Sequence, residues 1–181
     1  MISVKKLLLA GSAFGLALST APAFAAGNVA GLTALSLRGA GVGGLAAGPC
    51  TQPAIACPGT DVCECLTVAD TVVGTLAFNK GSLTLALSVD TSNALPITAA
   101  GSCLAATGQG TIQSVNTKQG VNILVSGFAC STVGDAIETF NGTYVITGGV
   151  GSFATANGTG AINGSQTGGT SQAAVAGTIQ K

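Results

Sequence analysis

The chain has 181 residues, with six basic and six acidic side chains and no histidine or tryptophan. Charged residues make up 7% of the sequence, against about 25% in typical domains, so the surface is expected to present hydroxyl and amide groups. Apart from the adjacent Lys5 and Lys6 near the N-terminus, the Lys and Arg residues stand far apart, and phosphate binding requires clustered positive charge. Nucleic acid is therefore excluded as a predicted partner, and an anionic membrane surface is disfavoured for the same reason.

The first 25 residues have the features of a signal peptide. Lys5 and Lys6 precede an apolar run over residues 7–18, and Ala21–Ala25 ends in the small-x-small pattern that signal peptidase recognises. A transmembrane helix is the alternative, but the run is shorter than the stretch of about 20 apolar residues that spans a bilayer. We predict that residues 1–25 are a signal peptide, that the product is periplasmic or extracellular, and that the mature chain has no membrane span.

Six cysteines lie in the predicted mature chain. Disulfides persist in exported proteins, so three bridges are expected. Spacing alone leaves the connectivity open, and we favour one bridge across a predicted strand pair with the other four cysteines paired among themselves. A zinc site is the alternative, but histidine is absent and the spacing differs from that of zinc modules, so no metal or cofactor is predicted. The favoured bridge joins Cys103 and Cys130, and the remaining cysteines are Cys50, Cys57, Cys63 and Cys65.

Residues 26–65 are rich in Ala, Gly and Pro, and only Leu32–Leu37 resembles an ordered element. We predict that this segment is an irregular arm tied down by its cysteines. A β-domain is predicted to follow over residues 66–181.

From residue 66 onward, short β-type runs are separated by turn signals. The clearest run is Ser82–Asp90, in which Leu and Val alternate with Ser, Thr, Ala and Asp. A turn at residues 79–81 joins it to the preceding run in a predicted hairpin. No window shows the apolar spacing of a substantial helix, so the domain is predicted to be all-β. The other predicted strands cover residues 66–78, 110–116, 121–130, 139–147, 158–165 and 172–180.

Short strands of even spacing favour a sandwich or a barrel. We favour an antiparallel, closed, eight-stranded barrel, because closure removes exposed strand edges from a protein with few charges. A β-solenoid is the alternative, but the recurrent Gly-Thr pairs do not keep the constant spacing that stacked coils require.

One segment resembles a known signature. Residues 140–160 read FNGTYVITGGVGSFATANGTG, which is similar to the pattern G-T-Y-x-I-T-G-G-x-G-x-F-x-x-A-x-G-x-G of exported bacterial relatives of the allene oxide cyclase and dirigent barrels. The resemblance implies an eight-stranded antiparallel barrel whose last strand contains residues 177–179. It also implies a pocket of acids, Arg and Tyr that acts on phenolic radicals or quinone methides. Here the sole Arg is Arg38, the sole Tyr is Tyr144, and Ser152 stands where relatives often have a basic residue.

The same segment has a physical interpretation of its own. Three glycines permit a sharp turn after a strand, a phenylalanine supplies an apolar anchor, and two further glycines open the next strand. A phosphate-binding loop is the alternative, but the Lys and spacing of a Walker motif are absent. These structural turn residues are Gly148, Gly149, Gly151, Phe153, Gly158 and Gly160.

No catalytic set is evident, because histidine is absent and only Asp135 and Glu138 are carboxylates close in sequence beyond the cysteine cluster. Phe140, Tyr144 and Ile146 share one predicted strand face and are the candidate ligand-binding residues. We expect an exported, non-enzymatic barrel that binds a small apolar molecule or serves as a structural or surface module. A dirigent-like or cyclase-like enzyme that confines a reactive intermediate is the alternative, and a Thr-rich adhesive or ice-binding face is a third.

Overall fold

The computed structural model describes residues 31–58, 63–74, 79–91, 102–115, 118–131 and 139–181. These residues form eight antiparallel strands, each paired with its neighbours in chain order, and β1 pairs with β8 to close a barrel. The predicted all-β, eight-stranded closed barrel is confirmed. The strands are β1 (Leu32–Ala47), β2 (Cys63–Gly74), β3 (Lys80–Asp90), β4 (Ser102–Ser114), β5 (Gly120–Ser131), β6 (Thr139–Val150), β7 (Asn157–Thr167) and β8 (Thr170–Gln180).

The barrel interior is built from the alternate apolar positions of the strands. In β3 the inward side chains are Leu83, Leu85, Leu87 and Val89, and all four are buried. Polar side chains of the same strand, such as Thr84, face outward. Period-two alternation therefore places one continuous aliphatic core inside the barrel.

The first strand differs from the sequence-based expectation of an irregular arm over residues 26–65. Residues 32–47 form β1, which pairs with both β2 and β8. Leu35 and Leu37 are buried on its inner face, and the next inward positions are Gly39, Gly41 and Gly43. Because glycine has no side chain, these positions do not show the alternation of apolar and polar residues that marks a strand. The sequence therefore indicated a strand only over the first residues of β1.

Inward-facing glycines in other strands are covered by large side chains from their neighbours. Tyr144 lies across Gly160 and Gly177, where an added Cβ would come within 2.7 Å and 2.5 Å of the tyrosine ring and hydroxyl. Leu87 covers Gly108 in the same way. In each pair a large side chain occupies the space that the facing glycine leaves. Such pairs fill the narrow interior of an eight-stranded barrel.

The segment after β1 folds against the outside of the barrel. Cys50 and Ile55 pack on Cys65 and Ala86 in a second small apolar cluster. Ser88, on the outer face of β3, accepts a hydrogen bond from the Cys50 backbone N–H (3.1 Å) and donates one to the Ile55 carbonyl (3.0 Å). The irregular, disulfide-held part of the predicted arm is thus residues 48–58, the described stretch that follows β1.

Three disulfides use all six cysteines. Cys103 and Cys130 are bonded and lie directly opposite each other on β4 and β5, which confirms the favoured pairing. The other bridges, Cys50–Cys65 and Cys57–Cys63, lie within the N-terminal group of cysteines as predicted.

The predicted signal peptide, residues 1–25, lies outside the described residues. In the part of the chain that the structure describes, no helix has the length and apolarity needed to cross a membrane.

Candidate functional site in the barrel interior

Asp70 is a carboxylate inside the apolar barrel. It lies on β2 between Val68 and Val72 on the inward face, and it is only 2% exposed. A buried carboxyl group needs hydrogen bonds to offset the loss of water. The residues around Asp70 therefore form a candidate functional site.

The side chains of Asp70 and Ser171 come into contact across β1, at a position where β1 has a glycine. Gly41 is the register partner of both residues. Because Gly41 has no side chain, the Ser171 hydroxyl reaches over β1 and donates a hydrogen bond to Asp70 Oδ1. Both side chains are buried. Asp70 Oδ2 has no hydrogen-bond partner among the described residues.

Gln166 extends the polar group toward the end of the barrel. It is the register partner of Ser171 on β7, and its side chain lies over Gly43, 2.5 Å from where a Cβ would stand. Its buried Oε1 also has no partner within the described part of the chain. Asp70, Ser171 and Gln166 together are called the inner site below.

The inner site adjoins a small apolar cavity. Its volume is about 20 Å³, which is enough for about one water molecule. Gln166 is a polar residue of the wall and lies beside aliphatic and aromatic side chains. The inward-facing wall residues include Leu66, Val68, Leu85, Leu87, Phe140 and Ile162.

Burial raises the pKa of Asp70 above the ordinary value of 3.8, and the hydrogen bond from Ser171 opposes this rise. Desolvation is the larger effect, because burial costs the charged carboxylate more free energy than it costs the neutral acid. A neutral Asp70 has a proton on one oxygen and can donate a hydrogen bond as well as accept one. The inner site can thus bind a water or another small polar group.

The three predicted ligand-binding residues lie on the inner face of β6, and the structure brings only one of them to the cavity. Phe140 lines the cavity. Tyr144 packs over glycines farther along the barrel, and Ile146 lies beside Gly158. Their ligand-binding role stays a prediction.

The Tyr144 hydroxyl is buried and has no partner among the described residues. The residue is 1% exposed, and burial raises its pKa to about 12. A tyrosine of this kind stays protonated at neutral pH. Its position favours a packing role in the core.

The predicted turn residues close the other end of the barrel. Gly148 and Gly151 have positive φ values of 124° and 67°, which favour glycine. Phe153 ends a short 3₁₀ turn, is 0% exposed, and has Lys181 Nζ 4.4 Å from its ring centroid. Gly149 lies against the backbone of Gly120.

Gly158 and Gly160, the last two predicted turn residues, belong to β7 itself. They leave room for Ile146 and Tyr144 respectively. They lie at the start of the strand, where an added side chain would collide with its neighbours.

Asp70 is a residue that the sequence analysis did not single out. The signal was present, because Leu66, Val68 and Val72 share its alternation phase and mark its face as inward. The apolar alternation of β2 could have identified an acid in the core. Ser171 and Gln166 could not be linked to it, since their approach depends on the register of β1.

Among the described residues, no group of three His, Cys, Asp or Glu side chains is placed to hold a metal ion. Asp135 and Glu138, the acids close in sequence, lie outside the described residues. Comparison of the chain with protein-family models, with curated proteins and with solved structures gave no match.

Proposed function

We propose that the protein is an exported, non-enzymatic barrel that works through its outer face, as a structural or surface module. The observation that carries the proposal is the filled interior. Close-packed aliphatic side chains leave a cavity of about 20 Å³ beside Phe140 and Gln166. Ligand sites in proteins usually measure about 300–1,000 Å³, so the interior supports a structural role better than ligand storage.

The disulfides and the composition agree with this role. Three bridges hold the described barrel and its outer segment, as expected for a protein that persists outside the cytoplasm. The predicted signal peptide supplies the route. The low content of charged residues leaves a neutral surface for contact with its surroundings.

Native mass spectrometry of the mature protein, recovered from the export compartment of its own cells, tests the proposal. The expected result is the bare polypeptide mass, lower by six hydrogens than that of the reduced chain because three disulfides have formed. An apolar small molecule bound at one per chain, and released on unfolding, would contradict it.

A second candidate function is favoured by Asp70. A buried acid with a raised pKa is characteristic of catalytic sites, and Asp70 lies close to the apolar cavity through Ser171 and Gln166. This arrangement supports a dirigent-like or cyclase-like enzyme that steers a reactive intermediate. Oxidative coupling of a hydroxycinnamyl alcohol by a one-electron oxidant, with the protein present, tests it. Racemic products are expected from the main proposal, and an enantiomeric excess that Asp70→Asn removes would favour the enzyme.

A further inference from the structure

A groove lies on the outer face of the barrel, across β2 to β6. Its volume is about 460 Å³, within the range of about 300–1,000 Å³ that is usual for small-molecule sites. The turn at Gln52 and Pro53 forms one wall, and outward-facing strand residues form the floor. This outer groove is lined by the side chains of Gln52, Pro53, Thr67, Thr84, Ala86, Gln109, Thr111, Asn122, Leu124 and Thr147.

The lining of the outer groove is uncharged, and its polar side chains stand within a surface that is mostly apolar. It contains four threonine hydroxyls and three carboxamides, each of which can donate and accept hydrogen bonds. None of the lining side chains is ionisable. An ionic ligand would lose its hydration without gaining an opposite charge, so the site is suited to a neutral ligand with many hydroxyl groups.

The polar groups stand in a regular grid. Thr84, Thr111 and Asn122 are register partners in one row across β3, β4 and β5. The next row contains Gln109 and Leu124. Rows and strands in a sheet are separated by about 7 Å and about 4.8 Å, so the groups face a ligand at several points along its length.

Part of the hydrogen-bonding capacity is already ordered. Thr84 Oγ1 and Thr111 Oγ1 are 2.7 Å apart and form a hydrogen bond. Thr67 donates to the Gly44 carbonyl at 3.3 Å. A hydroxyl that donates one hydrogen bond keeps lone pairs that can accept others. The carboxamides of Gln109 and Asn122 form no hydrogen bond with other described residues. These amides are the predicted principal contacts.

The wall of the outer groove is fixed in place. The disulfide from Cys50 to Cys65 anchors the turn to β2, and Ser88 bonds both Cys50 and Ile55. The Ile55 backbone N–H also donates to the Cys50 carbonyl at 2.9 Å. A site that is rigid before binding loses less entropy when it binds.

Apolar surface accompanies the polar groups. Leu124 is 44% exposed on the floor, and Pro53 stands on the wall. Sugar rings present C–H surface together with hydroxyl groups, so they match a lining of amides, hydroxyls and small apolar side chains.

We propose that the outer groove binds a short neutral oligosaccharide, with Gln109 and Asn122 as its main hydrogen-bonding residues. The inference rests on the proposed role of the outer face and names a partner for it. A module with this site would attach to neutral glycan chains outside the cytoplasm.

The test uses the oxidised mature protein and an array of cello-, malto-, manno- and chito-oligosaccharides, followed by calorimetric titration of those that bind. Gln109→Ala and Asn122→Ala are each expected to weaken binding about tenfold, since each removes a side chain that bonds the ligand. Asn141→Ala is the matched control, because Asn141 is exposed on the outer face of β6 and does not line the groove. Its affinity is expected to change less than about twofold.

The proposal is overturned if none of these oligosaccharides binds, or if Asn141→Ala weakens binding as much as the groove variants do. Far-UV circular dichroism of each variant confirms that the barrel is intact. If native mass spectrometry gives the bare polypeptide mass and no glycan binds, only the proposal of a glycan site in the outer groove is contradicted. If an apolar small molecule is found bound to the protein, the proposed structural role of a filled barrel is contradicted, whether or not glycans bind.

Discussion

Asp70 shows how single positions in this barrel depend on the neighbouring strands. Its side chain is enclosed by the core, and Ser171 reaches it only because Gly41 lies between them. Folding moves the carboxyl group out of water and raises its pKa above 3.8. The folded state therefore keeps a proton at pH values where the unfolded chain has released it.

We predict that Asp70 makes the barrel less stable as the pH rises. Above 3.8 and up to the raised pKa, the folded state binds more protons than the unfolded chain, so the free energy of unfolding falls with increasing pH. Asp70→Asn has no titrating group and can still accept the Ser171 hydrogen bond. Urea unfolding from about pH 3 to about pH 8 should show a smaller loss of stability for the variant, which should exceed the wild type in stability at neutral pH.

Glu64→Gln is the control for this series, because Glu64 is a partly exposed acid on the same strand. It should keep the pH-dependent loss of stability that Asp70 causes. Parallel curves for the wild type and Asp70→Asn across the whole range would contradict the assignment.

Gly41→Ala is predicted to destabilise the barrel by roughly 1–3 kcal/mol. An added Cβ would lie 2.0 Å from the Ala69 carbonyl oxygen and 2.7 Å from Asp70 Cα, and these backbone atoms cannot move without disturbing β2. Thermal or urea unfolding measures the loss. Gly44→Ala is the matched control, since its Cβ would approach only the Thr67 hydroxyl, at 3.3 Å, and equal losses in both variants would contradict the account.

At the scale of whole elements, β4 (Ser102–Ser114) was predicted only from residue 110 onward, because Ala106 and Gly108 leave little apolar alternation on its inner face. The other six strands from β2 to β8 could be predicted in the sequence, because apolar runs and turn signals mark them. The first strand could not, since Gly39, Gly41 and Gly43 remove the alternation from its inner face. The packing of residues 50–55 against the outside of β3 could not be predicted either. It depends on contacts with Cys65 and Ser88, which lie later in the chain. A sequence pattern predicts which face of a strand is buried. Contacts between residues of distant strands depend on the strand register, which the pattern does not give.

We predict that β1 is essential to the fold. Removing residues 26–47 from the mature chain would leave β2 and β8 with unpaired edges and would open the core. The truncated protein should lose the dispersed NMR amide spectrum of a folded barrel, or aggregate. Starting the chain at Gly31 is the control and should preserve the spectrum. A folded, monomeric protein without β1 would show that the segment is a dispensable arm.

At the scale of the whole molecule, closure and a filled interior explain how a chain with few charges forms a stable fold. Each described strand is paired on both sides, so none presents an edge to another chain. Large side chains opposite glycines fill the interior. Around the outer groove the surface is uncharged and rich in threonine, which fits the contact role that we propose for the outer face.

The strand β1 closes the barrel, and the packed side chains leave no room inside for an organic ligand. A crystal structure of the oxidised mature protein, at a resolution that shows ordered water, tests this most directly. We expect eight paired strands and about one water in the cavity between Phe140 and Gln166. Density for an organic molecule within a widened interior, or β1 detached from β2 and β8, would contradict it.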